Sequence, residues 1–545
     1  MKTEFLGKTL SGPFTVPSGI VTCSANIIQR FFALIPEVGV LTTKSIGPET
    51  RLGYREPILT QYEPGYFANA VGLTNPGADQ AAKLLSKVTI PEDRFLLISI
   101  FGGSVNEYVE VAKKLAPYGD GLELNLSCPH AKGLGMAMGQ DPRLVKEIVS
   151  AVKAAVDIPV VPKLTPNVPN IDEIAKAASD GGADAICAIN TMGPERHEAH
   201  GHPILSNKEG GISGKGISPT ALRCVKEIRD AVDCPIIACG GISSADNVRK
   251  FQEAGASIIG IGSALIGMTT KDIAEYFTEL SNDLKNITEN SEALVHYDVD
   301  MNFKPVTLVE NKKITDDICI LTFDRKIDIQ AGQFIFLWIP GLGEKPFSAL
   351  VDDPFKLAVI NLGYFTKELM RLAPGTEAYV RGPHGNAISP PVNSKIIAVA
   401  GGTGLAAVYQ LARDFGNTEI FFGARSKDRL YFVEESKKVS NLHIATDDGS
   451  EGAQGVVTEL LDKYLDEIPD SELSSLVFYN CGPAPMVQAA ESIQRKYSAA
   501  NRIYNAIDYL TKCGVGICGA CDAPDGRRLC VDGPFLDAAD TEPPP

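Results

Sequence analysis

The sequence has 545 residues, too many for one hydrophobic core, so several domains are expected. Hydrophobic residues make up 44% and charged residues 22%, which excludes a disordered or fibrous chain. The net charge of −16 argues against nucleic acid or an anionic membrane as partner.

No apolar run reaches the roughly 18 residues of a membrane span. The opening "MKTEFLGKTLSG" lacks the apolar stretch of a signal peptide, so a cytoplasmic location is expected. Of the twelve cysteines, four are clustered near the end and the rest are scattered singly. A reduced compartment with one metal site accounts for that better than a disulfide framework.

From the start of the chain, eight short runs are rich in β-formers: "FTVPSGI", "VGVLTTKS", "FLLISIF", "DGLELNL", "IPVVPKL", "DAICAIN", "CPIIACGG" and "SIIGIGS". Helix-like stretches such as "NEYVEVAKKLAP" and "DPRLVKEIVSAVKAAV" lie between most of them. Apolar strands alternating with helices predict an α/β fold with a parallel sheet, and eight units in this length favour a (β/α)8 barrel over an open doubly wound sheet. In a barrel the chemistry sits at the C-terminal strand ends. Those ends carry Ser18-Gly19, Lys44-Ser45, Ser99, Asn125, Lys163, Asn190-Thr191, Gly240-Gly241 and Gly262-Ser263. The two glycine-bearing ends come last, where barrels often bind phosphate, and they point to a phosphorylated cofactor such as FMN. Taken singly, each glycine or serine there reads equally well as a turn residue.

A boundary is expected around "ENSEALVHYD", residues 289–298. Beyond it come "PVTLVENKKI", "ICILTFDR", "QFIFLWIPG", "FKLAVINLG" and "TEAYVRGPHG", strand-rich and poor in helix, which suggests a small antiparallel barrel. At "KIIAVAGGTGLAAVYQLARDFG" the order becomes strand, glycine turn, helix, followed by "EIFFGARS", "LHIATDD" and "LVFYNCGP". This predicts a nucleotide-binding α/β domain. The expected division is therefore 1–290, 300–393, 394–500 and a final cysteine segment with its tail, 501–545.

That segment, "CGVGICGACDAPDGRRLC", spaces Cys513, Cys518, Cys521 and Cys530 as C-x4-C-x2-C-x8-C. The spacing fits a plant-type [2Fe–2S] cluster, with glycines that let backbone N–H groups face the sulfurs. Zinc is the competing occupant, although its sites usually pair two C-x2-C motifs. "AGGTGLAA" (400–407) aims a helix N-terminus at a phosphate, and "CGPAPM" (481–486) adds a second glycine turn after a strand. A structural glycine turn would look similar.

"EKPFSAL" (344–350) and "RGPHGN" (381–386) carry a resemblance. Residues 300–535 resemble ferredoxin-reductase-type flavoproteins, and most closely the electron-transfer subunit of NAD-linked dihydroorotate dehydrogenases. The resemblance implies FAD binding by Lys345, Pro346, Phe347 and Ser348, with lysine where the family has arginine. Lysine keeps the charge but loses the planar fork. It implies a second FAD segment, "GYFT", with Gly363 and Thr366. It also assigns Gly401, Gly402, Thr403, Cys481 and Gly482 to the nicotinamide nucleotide, and the four terminal cysteines to the cluster.

"FANAVGLTNPG" (67–77), "LNLSCPH" (124–130), "PKLTPN" (162–167) and "GGISG" (210–214) resemble the catalytic subunit of the same family, over residues 1 to about 270. The chain looks like a fusion of two normally separate subunits. The resemblance implies that dihydroorotate is oxidised to orotate, as in pyrimidine (UMP) biosynthesis, by loss of a hydride to FMN and of a proton to a base. The matching base is Cys128, in a loop with glycines at 133, 135 and 139. Thiol pKa values lie near the working pH and are lowered by neighbouring cations, so that role is chemically sound. Asn69, Asn125 and Asn190, with Thr191 alongside, match substrate contacts, since amides offer both donor and acceptor to a pyrimidine edge. "AVGL" would turn the backbone N–H groups of Val71, Gly72 and Leu73 towards the substrate carboxylate, with Lys44 adding charge. Lys163 matches the lysine that faces the flavin, and Gly214 falls in "GGISG" on the FMN side.

One position departs from the family. Its usual Ser-Cys-Pro-Asn here ends in His130, as in dihydropyrimidine dehydrogenases, whose substrates lack the carboxylate. The expected electron route runs FMN, [2Fe–2S], FAD, NAD, in a homodimer. Two other readings stay open: a dihydropyrimidine dehydrogenase, and an electron-transfer module serving another acceptor.

Overall fold

The computed structural model describes residues 2–127, 138–286, 299–507 and 510–539. The chain forms two compact units. Of the described residues, one takes those up to Val299 and the stretch Val515–Arg527; the other takes Asp300–Gly514 and those from Arg528 to Ala539.

In the first unit the eight expected runs form eight parallel strands: β1 (Phe14–Val16), β2 (Val38–Thr42), β3 (Phe95–Ile100), β4 (Gly121–Asn125), β5 (Val160–Leu164), β6 (Ile186–Ala188), β7 (Ile236–Cys239) and β8 (Ile258–Gly260). Each pairs with the next in sequence, and β8 returns to β1, so the barrel closes in chain order. The strands are buried along their whole length, which is why they read as continuous apolar runs and not as alternating ones. The surrounding helices start on polar caps. Ser24 and Ser104 accept from the backbone N–H groups three residues on, at 3.2 and 3.3 Å. The helix Pro142–Lys153 buries Val145, Ile148, Val149 and Val152, one stripe at helical spacing. The closed end of the barrel is packed by Phe5, Leu10, Val40, Phe95, Leu97 and Val161.

Arg94, immediately before β3, fastens the helix Ala25–Leu34 to this end. Its Nη1 donates to the carbonyls of Ile35, Pro36 and Val38 at 3.1, 2.7 and 2.9 Å, and the side chain is buried. Removing the donor leaves three carbonyls without it, two of them, those of Ile35 and Val38, buried. Arg94→Met is therefore expected to cost roughly 3 kcal/mol or more, read as a lowered denaturant midpoint of the barrel. A midpoint equal to wild type would show that water replaces the guanidinium there.

The loops after the strands build a sheet that no local pattern announces. Leu59–Glu63, Tyr66–Asn69, Gly210–Gly214 and Met192–Glu195 pair antiparallel, with Tyr66–Asn69 and Gly210–Gly214 at its centre. These segments are up to about 150 residues apart, and pairing at that separation leaves no local periodicity to read.

The second unit holds two seven-stranded sheets. The first, a curled antiparallel sheet, contains β9 (Lys304–Lys313), β10 (Ile318–Phe323), β11 (Phe334–Ile339), β12 (Gly343–Phe347), β13 (Val351–Asp352), β14 (Phe355–Ile360) and β15 (Glu377–His384), in the order β12-β11-β15-β9-β10-β14-β13. Its concave side is filled by Leu308, Leu321, Phe323, Ile335, Leu337 and Leu357. The second contains β16 (Lys395–Gly401), β17 (Thr418–Ala424), β18 (Asn441–Thr446), β19 (Ala453–Gln454), β20 (Leu476–Gly482), β21 (Ile503–Ile507) and β22 (Leu536–Asp537), in the order β19-β18-β17-β16-β20-β21-β22. Only β22 runs antiparallel to its neighbour. Strands β21 and β22 come from the segment in which the sequence announced only the cysteines. Among the described residues no helix is long and apolar enough to cross a membrane.

Candidate active site and cofactor sites

Barrel closure brings the polar strand ends together. Ser45, after β2, is the hub. Its Oγ lies 3.1 Å from Ser18 Oγ and 2.8 Å from Ser99 Oγ, and it accepts from Asn125 Nδ2 at 2.9 Å. Ser99 Oγ donates onward to Glu123 Oε1 at 2.8 Å. Asn190 Nδ2 reaches Asn125 Oδ1 at 3.4 Å, and Asn190 Oδ1 accepts from the Thr191 N–H at 2.8 Å. Ser18, Ser45, Ser99, Asn125, Asn190 and Thr191 thus form one continuous network across five strand ends. Gly19 lies exposed beside Ser18, with a positive φ of 86°.

Lys163 and Glu123 are the buried charges of this mouth, 5% and 1% exposed. Lys163 is paired in register with Asn125, on the strand that also carries Glu123. Burial alone would lower its pKa. The Glu123 carboxylate, together with the Cys187 and Cys239 sulfurs, more than offsets that and holds the ammonium above the usual lysine range. The sequence reading passed over Glu123, although a carboxylate inside the apolar strand "GLELN" was the available signal. Below the lysine, the thiols of Cys187 and Cys239 lie 3.9 Å apart among apolar neighbours.

The cross-loop sheet supplies the next wall. Asn69 ends the strand Tyr66–Asn69 and donates to the Gly211 carbonyl at 3.3 Å. A Cβ on Gly211 would stand 2.3 Å from Thr191 Oγ1, so a bare glycine lets these two strand ends close up. Val71, Gly72 and Leu73 follow as a half-buried turn with positive φ at Gly72 and Leu73 (79° and 54°). Lys44 is half-buried after β2. Cys128 and His130 lie outside the described residues.

Gly214, Gly240 and Gly241 meet at the ends of β7 and the cross-loop sheet. Gly241 has φ 71°, and a Cβ there would stand 2.4 Å from the Gly214 carbonyl oxygen. Gly262 and Ser263 follow β8 beside them in the barrel order. A planar, polar-edged ring with a phosphate fits these residues: hydroxyls and amides on one side, a buried cation, and bare glycine backbone on the other.

In the second unit, Lys345, Pro346 and Phe347 close β12 and Ser348 follows, all half-buried. The Phe347 ring lies 6.5 Å from that of Phe365, in the helix Tyr364–Leu369 that Gly363 opens. Thr366 Oγ1 accepts from the N–H groups of Leu362 and Gly363 at 2.9 and 3.1 Å, which pins that turn. The two expected FAD segments are therefore neighbours. On the parallel sheet, Gly401, Gly402 and Thr403 lead from β16 into the helix Gly404–Phe415, and Gly482 ends β20 next to them. A Cβ on Gly482 would stand 3.0 Å from the Gly401 backbone nitrogen, so the two glycine turns touch. Tyr431 donates to the Gly402 carbonyl at 3.0 Å from a buried position.

All four terminal cysteines are buried. The stretch with Cys518 and Cys521 belongs to the barrel unit. There the Val21 N–H donates to Ile517 O at 2.7 Å, the Gly267 N–H donates to Val515 O at 2.9 Å, and the Cys23 thiol donates to Gly519 O. Gly519 has φ 65°, and a Cβ on it would collide with the Val21 carbonyl. Burial, then the Asp522 carboxylate, push the Cys23 thiol up to about 12, so it is a neutral donor. Cys23, one of the singly scattered cysteines, thus bonds to the cysteine loop. Cys513 belongs to the other unit, where its carbonyl accepts from the buried Arg381 at 3.0 Å.

A parallel barrel with a buried lysine and amides at its mouth, followed by a reductase-like pair of sheets and a buried four-cysteine segment, defines an oxidoreductase with several redox centres. Comparison with known families agrees. Residues 1–284 match the dihydroorotate dehydrogenase family, 398–492 the oxidoreductase NAD-binding domain, and 510–542 the iron–sulfur cluster binding domain of dihydroorotate dehydrogenase B. Relatives include the proteins named dihydroorotate dehydrogenase B (NAD(+)), catalytic subunit, of Pyrococcus horikoshii and Thermococcus kodakarensis. The first is 42% identical over 52% of this chain and 91% of that protein; the second is 45% identical over 48% and 84%. The chain belongs to the dihydroorotate dehydrogenase family, and it carries the NAD-binding and iron–sulfur domains in the same polypeptide. Its cofactor set is FMN, FAD, a [2Fe–2S] cluster and NAD.

Proposed function

We propose that the protein oxidises dihydroorotate to orotate for pyrimidine biosynthesis and passes the electrons to NAD. The observation that carries this reading is the joined network Ser45–Asn125–Asn190 beside Lys163 and Glu123, a polar edge over a buried cation at the mouth of a barrel. When bound, FMN takes up the hydride, the [2Fe–2S] cluster relays single electrons, and FAD returns a pair to NAD.

The residues then divide the work. Asn69, Asn125, Asn190 and Thr191 orient the pyrimidine edge. Val71, Gly72 and Leu73 with Lys44 take the carboxylate. Cys128 removes the proton, and His130 borders the substrate. Ser18, Gly19, Ser45, Ser99, Gly214, Gly240, Gly241, Gly262 and Ser263 hold FMN, with the Lys163 ammonium against its pyrimidine ring. Lys345, Pro346, Phe347, Ser348, Gly363 and Thr366 hold FAD. Gly401, Gly402, Thr403 and Gly482 take NAD, and Cys513, Cys518, Cys521 and Cys530 ligate the cluster. The corresponding division is 1–290, 300–393, 394–500 and 501–545, in a cytoplasmic homodimer.

The test is anaerobic turnover of the reconstituted full chain with NAD and either dihydroorotate or dihydrouracil, followed as NADH. Turnover with dihydroorotate alone is expected. Turnover with dihydrouracil alone would make His130 the better guide and the substrate a dihydropyrimidine without a carboxylate. Flavin bleaching without NADH would point to another acceptor.

The base has its own signature. Activity should rise with pH as the Cys128 thiol loses its proton. Cys128→Ser is expected to lower the rate about 10²-fold or more and to move that rise to higher pH, because a hydroxyl is the weaker acid. An unmoved profile in the serine variant would remove Cys128 from the role.

A further inference from the structure

A buried ion pair holds the backbone of Cys513 from behind. Arg381 lies in β15 and Glu344 in β12, strands that flank β11 on either side. Arg381 Nε donates to Glu344 Oε1 at 2.5 Å and Nη2 donates to Oε2 at 3.0 Å, a two-pronged fork. Its third nitrogen, Nη1, donates to the Cys513 carbonyl at 3.0 Å and lies 3.2 Å from His384 Nε2. The guanidinium carbon stacks 4.0 Å from the centre of the Phe336 ring. The two charged side chains are 1% and 0% exposed. Gly514 makes room: at φ 79°, a Cβ there would stand 2.6 Å from Phe336 and 3.3 Å from Nη1.

A buried pair of this kind is a poor source of net stability, because desolvation offsets the attraction. Its geometry is better explained by what it touches. The guanidinium is fixed on every side, and its free edge points at the backbone of a cysteine in the iron–sulfur segment. Glu344 occupies the far edge, so the pair turns its positive end towards Cys513. Glu344 also directly precedes Lys345, so the same pair ties the Lys345–Ser348 segment to that cysteine.

We propose that Arg381 is a positioning residue for the iron–sulfur cluster: it seats Cys513 and raises the cluster's reduction potential, with Glu344 holding it in place and limiting the charge. The inference rests on Cys513 being a cluster ligand. Hydrogen bonds and nearby charge set such potentials, and a cation close by favours the state that carries the extra electron.

The test is an anaerobic redox titration of the full chain, followed by the electron-spin signal of the reduced cluster. Arg381→Gln removes the cation while the Glu344 carboxylate stays, and is expected to shift the potential to more negative values. Glu344→Gln leaves the guanidinium alone and is expected to shift it the opposite way. If the unbalanced buried charge prevents either variant from loading iron, the charge-balanced Glu344→Gln/Arg381→Gln variant decides. It lacks the dipole and should fall below wild type. A potential equal to wild type in the variants that load, or shifts of the same sign in both single variants, would overturn the assignment. A [2Fe–2S] spectrum unchanged by Cys513→Ser would instead sink the ligand reading on which it rests.

Discussion

Cys518→Ser is expected to abolish NADH formation while dihydroorotate still bleaches the flavin of the barrel. Cys518 and Cys521 form the C-x2-C pair of the terminal segment, and both thiols are buried. A serine hydroxyl is a far weaker acid than a thiol and a harder ligand, so the cluster would lose one of its four proposed anchors. The residues proposed for the barrel chemistry lie elsewhere in the fold: Lys163 on β5, Asn125 on β4 and Asn190 after β6. The substitution touches none of them. Stopped-flow absorbance under anaerobic conditions separates the two half-reactions. If both survive at wild-type rates, electrons do not travel through the cysteine segment. If both are lost, the loop at Gly519 that bonds to Cys23 also shapes the barrel mouth, and the division of labour proposed here fails.

Lys163→Met carries the second large effect, on chemistry and stability together. The ammonium is buried at the barrel mouth with Glu123, whose other described partner is the Ser99 hydroxyl. Electrostatic donors fixed in a dry site are worth about 10²–10³-fold in rate, so flavin bleaching by dihydroorotate should slow by that factor. Removing the cation also leaves the buried Glu123 carboxylate without the opposite charge near it, so the denaturation midpoint should fall. Glu123→Gln added to Lys163→Met should restore the denaturation midpoint at neutral pH without restoring the rate. Recovery of both by the double variant would reduce Lys163 to a structural partner of Glu123.

The sequence by itself determined the eight barrel strands, because a strand buried on both faces must be apolar throughout, and helical stretches between such runs leave few other folds. It also determined where the cysteine segment and the two glycine turns of the nucleotide-binding sheet lie, since thiol spacing and glycine after a strand are local signals. The strand ends named Ser45, Ser99, Asn125 and Lys163 for the same reason. Only the tertiary structure decided what those residues meet. Barrel closure turned three separate serines and two asparagines into one network and set Glu123 beside Lys163. Pairing across about 140 residues put Asn69 against Gly211. Three strands of a curled sheet brought Glu344, Phe336 and Arg381 to the backbone of Cys513. None of these contacts leaves a period or a spacing in the chain. Each depends on register between distant strands, which side-chain pattern restricts but does not specify.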